Sequence, residues 1–223
     1  MLERLADGVW QVDLLGVNAY VVDDGGDATL IDAGLPWQAG AVSTALRTAA
    51  NGPESIERVL VTHYDIDHVG GLGRIAGLDA SVYAGKPDVD YLRGTGTPPV
   101  RRRKGLFQRA TGLAVKRPHG QVVTVADGDT VGGFACYHTP GHTAGHFSYV
   151  HAERSVALLG DVVRTTDGRF APAPALLSDD GAAVRRSIRD LVARAPAFDV
   201  GAPGHGSPIV GDASAALKRA ADR

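Results

Sequence analysis

A chain of 223 residues, 44% apolar and 22% charged, has the length of one large domain and the composition of a protein that buries its own core. A mean hydropathy of −0.04 excludes a disordered polymer and a membrane bundle, and the single cysteine, Cys136, excludes an internal disulfide or a site made of several thiolates. Any metal must therefore rest on histidines and carboxylates. The formal net charge of −2 hides an asymmetry, because residues 91–126 hold eight Lys and Arg and no acid.

The first eight residues include acids and lack the apolar stretch of a secretion leader. No later segment approaches the roughly 18 apolar residues of a membrane span. The expectation is a cytoplasmic protein without membrane contact.

Alternation over Val9–Leu14, Asn18–Val22 and Ala28–Ile31, with glycine-rich breaks between, predicts three short antiparallel strands. A helix follows over 37–50, then a short apolar strand at Val59–Val61. Residues 67–77 read as a helix with Asp67 near its start, and Ser81–Tyr83 as a strand. The basic stretch 86–120, broken by Pro87, Pro98, Pro99 and Pro118, reads as a long excursion with short helices near 88–93 and 103–113.

Strand character returns at Val122–Val125, Val131–Tyr137, His146–His151 and Val156–Leu159. A helix over 181–194, a strand at Phe198–Val200 and a helix over 213–220 close the chain. The second half echoes the first. This order predicts an α/β fold in which helices cover the outer faces of two packed, mostly antiparallel sheets, over residues 1–223 as a single domain.

Four of the apolar runs lead into metal-binding residue types: His63, His142, Asp161 and His205. If these runs are strands of one sandwich, their ends can gather the side chains at one edge. The densest cluster is His63-Tyr64-Asp65-Ile66-Asp67-His68. In extended backbone His63 and Asp65 point the same way, while Asp67 and His68 lie where the chain bends into a helix. Neutral imidazoles and carboxylates are good ligands for divalent first-row metals, and four histidines with three aspartates suffice for two ions.

These residues resemble the metallo-β-lactamase superfamily, whose signature is a His-x-His-x-Asp-His loop, a distal His, a bridging Asp and a final His. Here the elements are His63-x-Asp65-x-Asp67-His68, then Thr139-Pro140-Gly141-His142, Gly160-Asp161 and Gly204-His205-Gly206, with Leu30-Ile31-Asp32-Ala33-Gly34 upstream. The resemblance covers nearly the whole chain and implies a four-layer αββα sandwich. It assigns His63, His142 and Asp161 to a first metal and Asp67, His68, His205 and again Asp161 to a second. Asp32 matches an acid that supports the ligands from behind.

Asp65 departs from the pattern, which has histidine there. Three readings stand: direct ligation of the first metal, action through water or filling of the second position alone, or support from behind. Direct ligation would favour iron or manganese more than an all-histidine site does, although zinc is the ion the family implies first.

The function this implies is a dinuclear metal-dependent hydrolase that uses a metal-bridging hydroxide on a small ester, thioester, lactone or related acyl substrate. Asp67 is the candidate proton relay. The alternative is a di-iron redox or oxygen-handling protein of the same fold, and a metal-containing binding protein without chemistry is a third class. A nuclease or a β-lactamase is less favoured, and with a net charge of −2 nucleic acid is an unexpected partner.

Arg164, Arg101 and Arg102 are candidate anchors for an anionic group on the substrate, with the 86–120 excursion as a lid. The default reading of the run Arg101-Arg102-Arg103-Lys104 is nevertheless a solvated face. Tyr64 either faces the substrate or packs inside. His146 reads as structural, Cys136 as a buried apolar residue, and His119, His138 and His151 as ordinary surface or loop residues.

Overall fold

The computed structural model describes residues 1–222 apart from the side chain of Arg103. That side chain, part of the basic run, lies outside the described residues. The chain opens on four antiparallel strands, β1 (Leu2–Ala6), β2 (Val9–Asp13), β3 (Asn18–Asp24) and β4 (Asp27–Ile31). Only β1 is unexpected. It is an edge strand with no fully buried residue, so it carries little hydrophobic alternation to read.

Helix α1 (Ala39–Ala49) then crosses to β5 (Ile56–Leu60), and such a crossover returns the chain parallel. After the single turn α2 (Ile66–Val69), strand β6 (Ser81–Ala84) also runs parallel. Helices α3 (Asp88–Arg93) and α4 (Arg103–Thr111) occupy the basic excursion, and β7 (Val122–Thr124) completes a sheet of order β1-β2-β3-β4-β5-β6-β7. The expectation of mostly antiparallel sheets therefore fails for half of this one, because each connection after β4 is a crossover and not a hairpin.

The helix predicted over 67–77 also stops early. Gly70 and Gly71 lie flat on the 33–36 loop, where a Cβ on Gly71 would sit 2.2 Å from the Ala33 carbonyl oxygen and one on Gly70 2.4 Å from Pro36 Cδ. This contact anchors the metal-motif loop to the end of β4.

The second sheet holds β8 (Thr130–Val131), β9 (Phe134–His138), β10 (Phe147–His151) and β11 (Val156–Gly160). The strand predicted over Val131–Tyr137 is instead a hairpin, turned by Gly132 and Gly133 at φ 53° and 81°. A separate hairpin, β12 (Val163–Thr166) with β13 (Arg169–Pro172), precedes α5 (Gly181–Arg194). Then come β14 (Val200–Pro203), β15 (Ile209–Val210) and α6 (Ala213–Ala221). The order is β15-β14-β11-β10-β9-β8, antiparallel except where the α5 crossover sets β14 parallel to β11.

Alternation sorts the side chains into layers. Val21, Leu30 and Val59 face Val42 and Leu46 of α1, while their neighbours Tyr20, Ile31 and Leu60 meet Phe134, Tyr149 and Leu158 between the sheets. On the other side Ala157 and Leu159 pack under Ile188 and Leu191 of α5 and Leu217 of α6. Three cores thus separate four layers, αββα. Cys136 is buried in the middle one, where burial pushes its thiol up to about 12. His151 is likewise interior and not a surface residue, edge-on to Phe134 with Nε2 3.2 Å from Asp24.

Candidate metal centre

The parallel strands β4, β5, β11 and β14 end at one rim, and each end delivers a polar residue: Asp32, His63, Asp161 and His205. The loop between β9 and β10 adds His142. Asp67 and His68 come from α2, and Asp65 just precedes it at the N-cap position without capping the helix.

Asp32, held in the left-handed region at φ 56°, organises the first loop. Its Oδ1 accepts from the Thr62 backbone N–H at 2.9 Å, and its Oδ2 accepts from Thr62 Oγ1 at 2.7 Å and lies 2.8 Å from His68 Nδ1. A carboxylate can only accept, so His68 carries its proton on Nδ1 and offers Nε2. Thr62 has spent its one hydroxyl proton on Asp32, so it accepts from His63 Nδ1 at 3.0 Å, and His63 also offers Nε2.

The other two imidazoles follow the same rule. His205 donates from Nδ1 to the Gly16 carbonyl at 2.5 Å, and Ser178 Oγ, which donates to the Pro174 carbonyl, accepts from His142 Nδ1 at 3.4 Å. Four Nε2 atoms thereby converge. His63, His142 and Asp161 form one group whose ligand atoms lie within 4.8 Å of one another, and Asp67, His68 and His205 form a second.

Asp161 joins the groups. Its Oδ2 is 3.4 Å from His142 Nε2 and 3.2 Å from His205 Nε2, and its Oδ1 is 3.5 Å from His68 Nε2. The buried His63 Nε2, His68 Nε2 and Asp161 Oδ1 have no hydrogen-bond partner, which is costly unless a cation takes them. The donor set of imidazole and carboxylate fits two divalent first-row ions.

His146 holds Asp161 in place: its Nε2 accepts from the Asp161 backbone N–H at 2.9 Å while Nδ1 meets Thr139 Oγ1 at 2.8 Å. Both ring nitrogens are spent, and burial together with the neighbouring imidazoles keeps its pKa well below the usual value. It is the structural histidine that the sequence suggests.

Without metal, the carboxylates and imidazoles neutralise one another. Burial alone would lower the His68 pKa, but Asp161, Asp32 and Asp67 raise it to about 9; His205 rises to about 11 against burial through its bonds to Asp161 and Asp67. Burial would raise the Asp161 and Asp67 carboxyls, yet the imidazoles hold Asp161 well below the carboxylate range and Asp67 at about 2.

The raised His68 pKa stabilises the metal-free protein fully below pH 6.5, and that contribution is lost as pH climbs through about 9. The depressed Asp67 contributes above pH 3.8 and loses its effect as pH falls through about 2. Metal must displace the protons on the imidazoles. Calorimetry in buffers of different ionisation enthalpy should therefore show proton release on zinc binding at pH 7.5, shrinking as pH rises past 9; equal heats in all buffers would contradict it.

Asp65 also reaches the first group, with Oδ2 3.3 Å from both His63 Nε2 and His142 Nε2. Sequence reasoning missed what lies behind it. On α4, Lys104 Nζ pairs with Asp65 Oδ2, and Gln108 Nε2 donates to Asp65 Oδ1 at 2.9 Å and to the Tyr64 carbonyl at 2.7 Å. The readable signal was the i, i+4 spacing of Lys104 and Gln108, which places both on one helix face. Burial would raise the Asp65 carboxyl, but His63, His142 and Lys104 hold it well below its usual value.

A cleft of about 620 Å³ opens over the groups, with Ile66, Phe107, Val163 and Leu177 as apolar walls and Lys104 and Arg164 as cations. Arg101 and Arg102 do not line it: Arg101 is exposed, and Arg102 pairs with Asp179 at 3.5 Å. Tyr64 is likewise absent from the cleft. Its ring is buried edge-on to Tyr91 because Asp88, accepting from the Tyr64 N–H at 2.8 Å, ties the backbone there to the start of α3. Burial pushes that Asp88 carboxyl up to about 7.

A family profile for the metallo-beta-lactamase superfamily matches residues 12–216, and the chain belongs to that superfamily. The probable metallo-hydrolase YflN of Bacillus subtilis is 26% identical over 204 residues, 82% of this chain and 76% of its own length. The atrochrysone carboxyl ACP thioesterase of Aspergillus fumigatus is 29% identical over 92% of this chain but only 41% of its own. Among solved structures, a metallo-beta-lactamase with a HARLDQ motif from Cronobacter sakazakii superposes with a TM-score of 0.72 at 21% identity, covering 99% of this chain and 90% of that one. TTHA1623, solved in a di-iron-bound form, gives 0.66 at 28% identity, covering 90% and 92%. No helix among the described residues is long and apolar enough to cross a membrane.

Proposed function

We propose that the protein is a dinuclear metal-dependent hydrolase of small acyl esters or thioesters that carry an anionic group. The observation that carries this reading is the convergence of four Nε2 atoms on two groups that share Asp161. His63, His142, Asp161 and Asp65 would hold one ion, and Asp67, His68, His205 and Asp161 the other. Bound there, the ions would supply a water deprotonated near neutral pH and positive charge for the substrate carbonyl oxygen.

The chain's own residues do the rest. Asp32 and Thr62 fix the tautomers of His68 and His63, and the apolar walls of the cleft exclude bulk water from the acyl group. Asp67, kept ionised by His68 and His205, lines the cleft, where it would take the proton released by the attacking water and return it to the leaving group. Arg164 faces the same cleft and pairs with a carboxylate or phosphate on the substrate.

Zinc is the first expectation, and the carboxylate at Asp65 favours iron or manganese more than a histidine would. The test is turnover of matched neutral and anionic esters, thioesters and lactones by metal-loaded protein. Anionic thioesters or esters should be preferred, and Arg164→Ala should raise their KM about tenfold with kcat held. Absence of turnover across the whole panel would refute the hydrolase reading, and iron with reversible redox absorption would put oxygen chemistry in its place.

A further inference from the structure

We propose that Lys104 is a built-in competitor for the first metal position, so that the two positions are unequal and the Asp67–His68–His205 position fills first. This rests on the dinuclear reading and deepens it. The decisive atom is Asp65 Oδ2. It is the carboxylate oxygen that meets His63 Nε2 and His142 Nε2 at 3.3 Å, and it is also the oxygen to which the Lys104 ammonium is bound.

Helix α4 grips both ends of that carboxylate, Lys104 on Oδ2 and Gln108 on Oδ1. The Lys104 side chain is only 13% exposed, so solvent does little to screen its charge. A divalent ion and an ammonium cannot share one oxygen in a buried site without strong repulsion. Filling the first position therefore requires Lys104 to leave Asp65.

Among the described residues the second group carries no such cation. The ion pairs of Asp67 and Asp161 among the described residues are all with imidazoles, whose Nε2 atoms are themselves the atoms offered to a metal and so need not leave the site. The Lys104 ammonium has no lone pair to offer a metal, so it must move aside. Because Lys104 belongs to the helix that also walls the cleft with Phe107, the charge of the first position is set from the basic excursion and not from the metal-motif loop. A histidine at position 65, as in the family pattern, would offer the lysine no anion to bind.

The experiment is zinc titration of metal-stripped protein against a chromophoric chelator, for the wild type, Lys104→Met, Lys104→Arg and His205→Ala. The wild type should bind two zinc ions in steps whose affinities differ about tenfold or more. His205→Ala should remove the stronger step. Lys104→Met, which keeps the apolar stem without the charge, should tighten only the weaker step, by about tenfold or more, and Lys104→Arg should behave as the wild type.

Equal steps in the wild type would overturn the proposal, as would an unchanged or weakened second step in Lys104→Met. Tightening of both steps alike would also overturn it, because that is a diffuse charge effect and not competition for Asp65. Failure of the wild type to bind zinc at all would instead refute the dinuclear reading itself. Circular dichroism melts confirm that each variant is folded; should Lys104→Met not fold, Lys104→Gln makes the same comparison.

Discussion

Replacing Asp161 by Ala should strip both metal positions at once and lower turnover by about 10³-fold or more. Asp161 reaches both groups: its Oδ1 faces His68 while its Oδ2 faces His142 and His205. Removal leaves three imidazoles without their shared carboxylate, and the His68 and His205 pKa values, raised largely by Asp161, should fall. The backbone bond from residue 161 to His146 survives the substitution, so the loop should keep its course. Metal content after dialysis, measured beside turnover, decides the matter, and an Asp161→Ala variant that retains two ions or full activity would contradict the assignment.

The second large effect is expected at Asp32, which touches no substrate and faces no cleft. Asn is the informative replacement, because it has the same shape and tolerates the left-handed backbone found there. Asp32 accepts three hydrogen bonds, from Thr62 N–H, Thr62 Oγ1–H and His68 Nδ1–H. An amide has one accepting oxygen, so at least one donor then faces the NH2 group. If His68 is that donor, its proton must shift to Nε2 and the lone pair offered to metal is lost; if Thr62 turns, His63 loses its orientation instead.

Either way metal affinity should fall about 10–100-fold while the fold persists. Chelator competition measures it, and an Asp32→Asn variant with unchanged affinity would show that the tautomers are fixed by something else. The prediction separates a supporting role from ligation, since loss of a ligand shared by both groups at Asp161 should be far more damaging.

The ligand set was legible because it depends on strand ends, and strand ends show in a sequence as an apolar run stopped by a polar residue. Val59–Val61 before His63 and Val156–Gly160 before Asp161 needed no knowledge of pairing. Pairing direction was not legible in the same way. Whether β4 and β5 run parallel depends on where α1 returns the chain, and a buried strand reads alike in both cases.

The short helix α2 escaped for a related reason. Its apolar spacing continues to Ile75, but Gly70 and Gly71 are claimed by contact with the 33–36 loop, and only the fold brings that loop near. Tyr64 shows the limit of alternation: its neighbours face the metal groups, so its own side chain turns to the opposite side and meets Tyr91.

Lys104 and Gln108 are the instructive omission. Within a run of four basic residues Lys104 looks like a solvated charge, and nothing local distinguishes it from Arg101, which is exposed. What distinguishes it is a carboxylate 39 positions away in the chain, placed beneath α4 by two sheet strands and the excursion between them. Long-range electrostatic partners of this kind are set by topology, which is the level at which sequence patterns carry least information.

The most direct test of the account is an anomalous scattering map at the zinc edge from crystals grown with excess zinc. The account predicts two peaks, one among His63, His142 and Asp161 and the other among Asp67, His68 and His205, with Asp161 between them. A single peak, or none, would contradict the dinuclear centre.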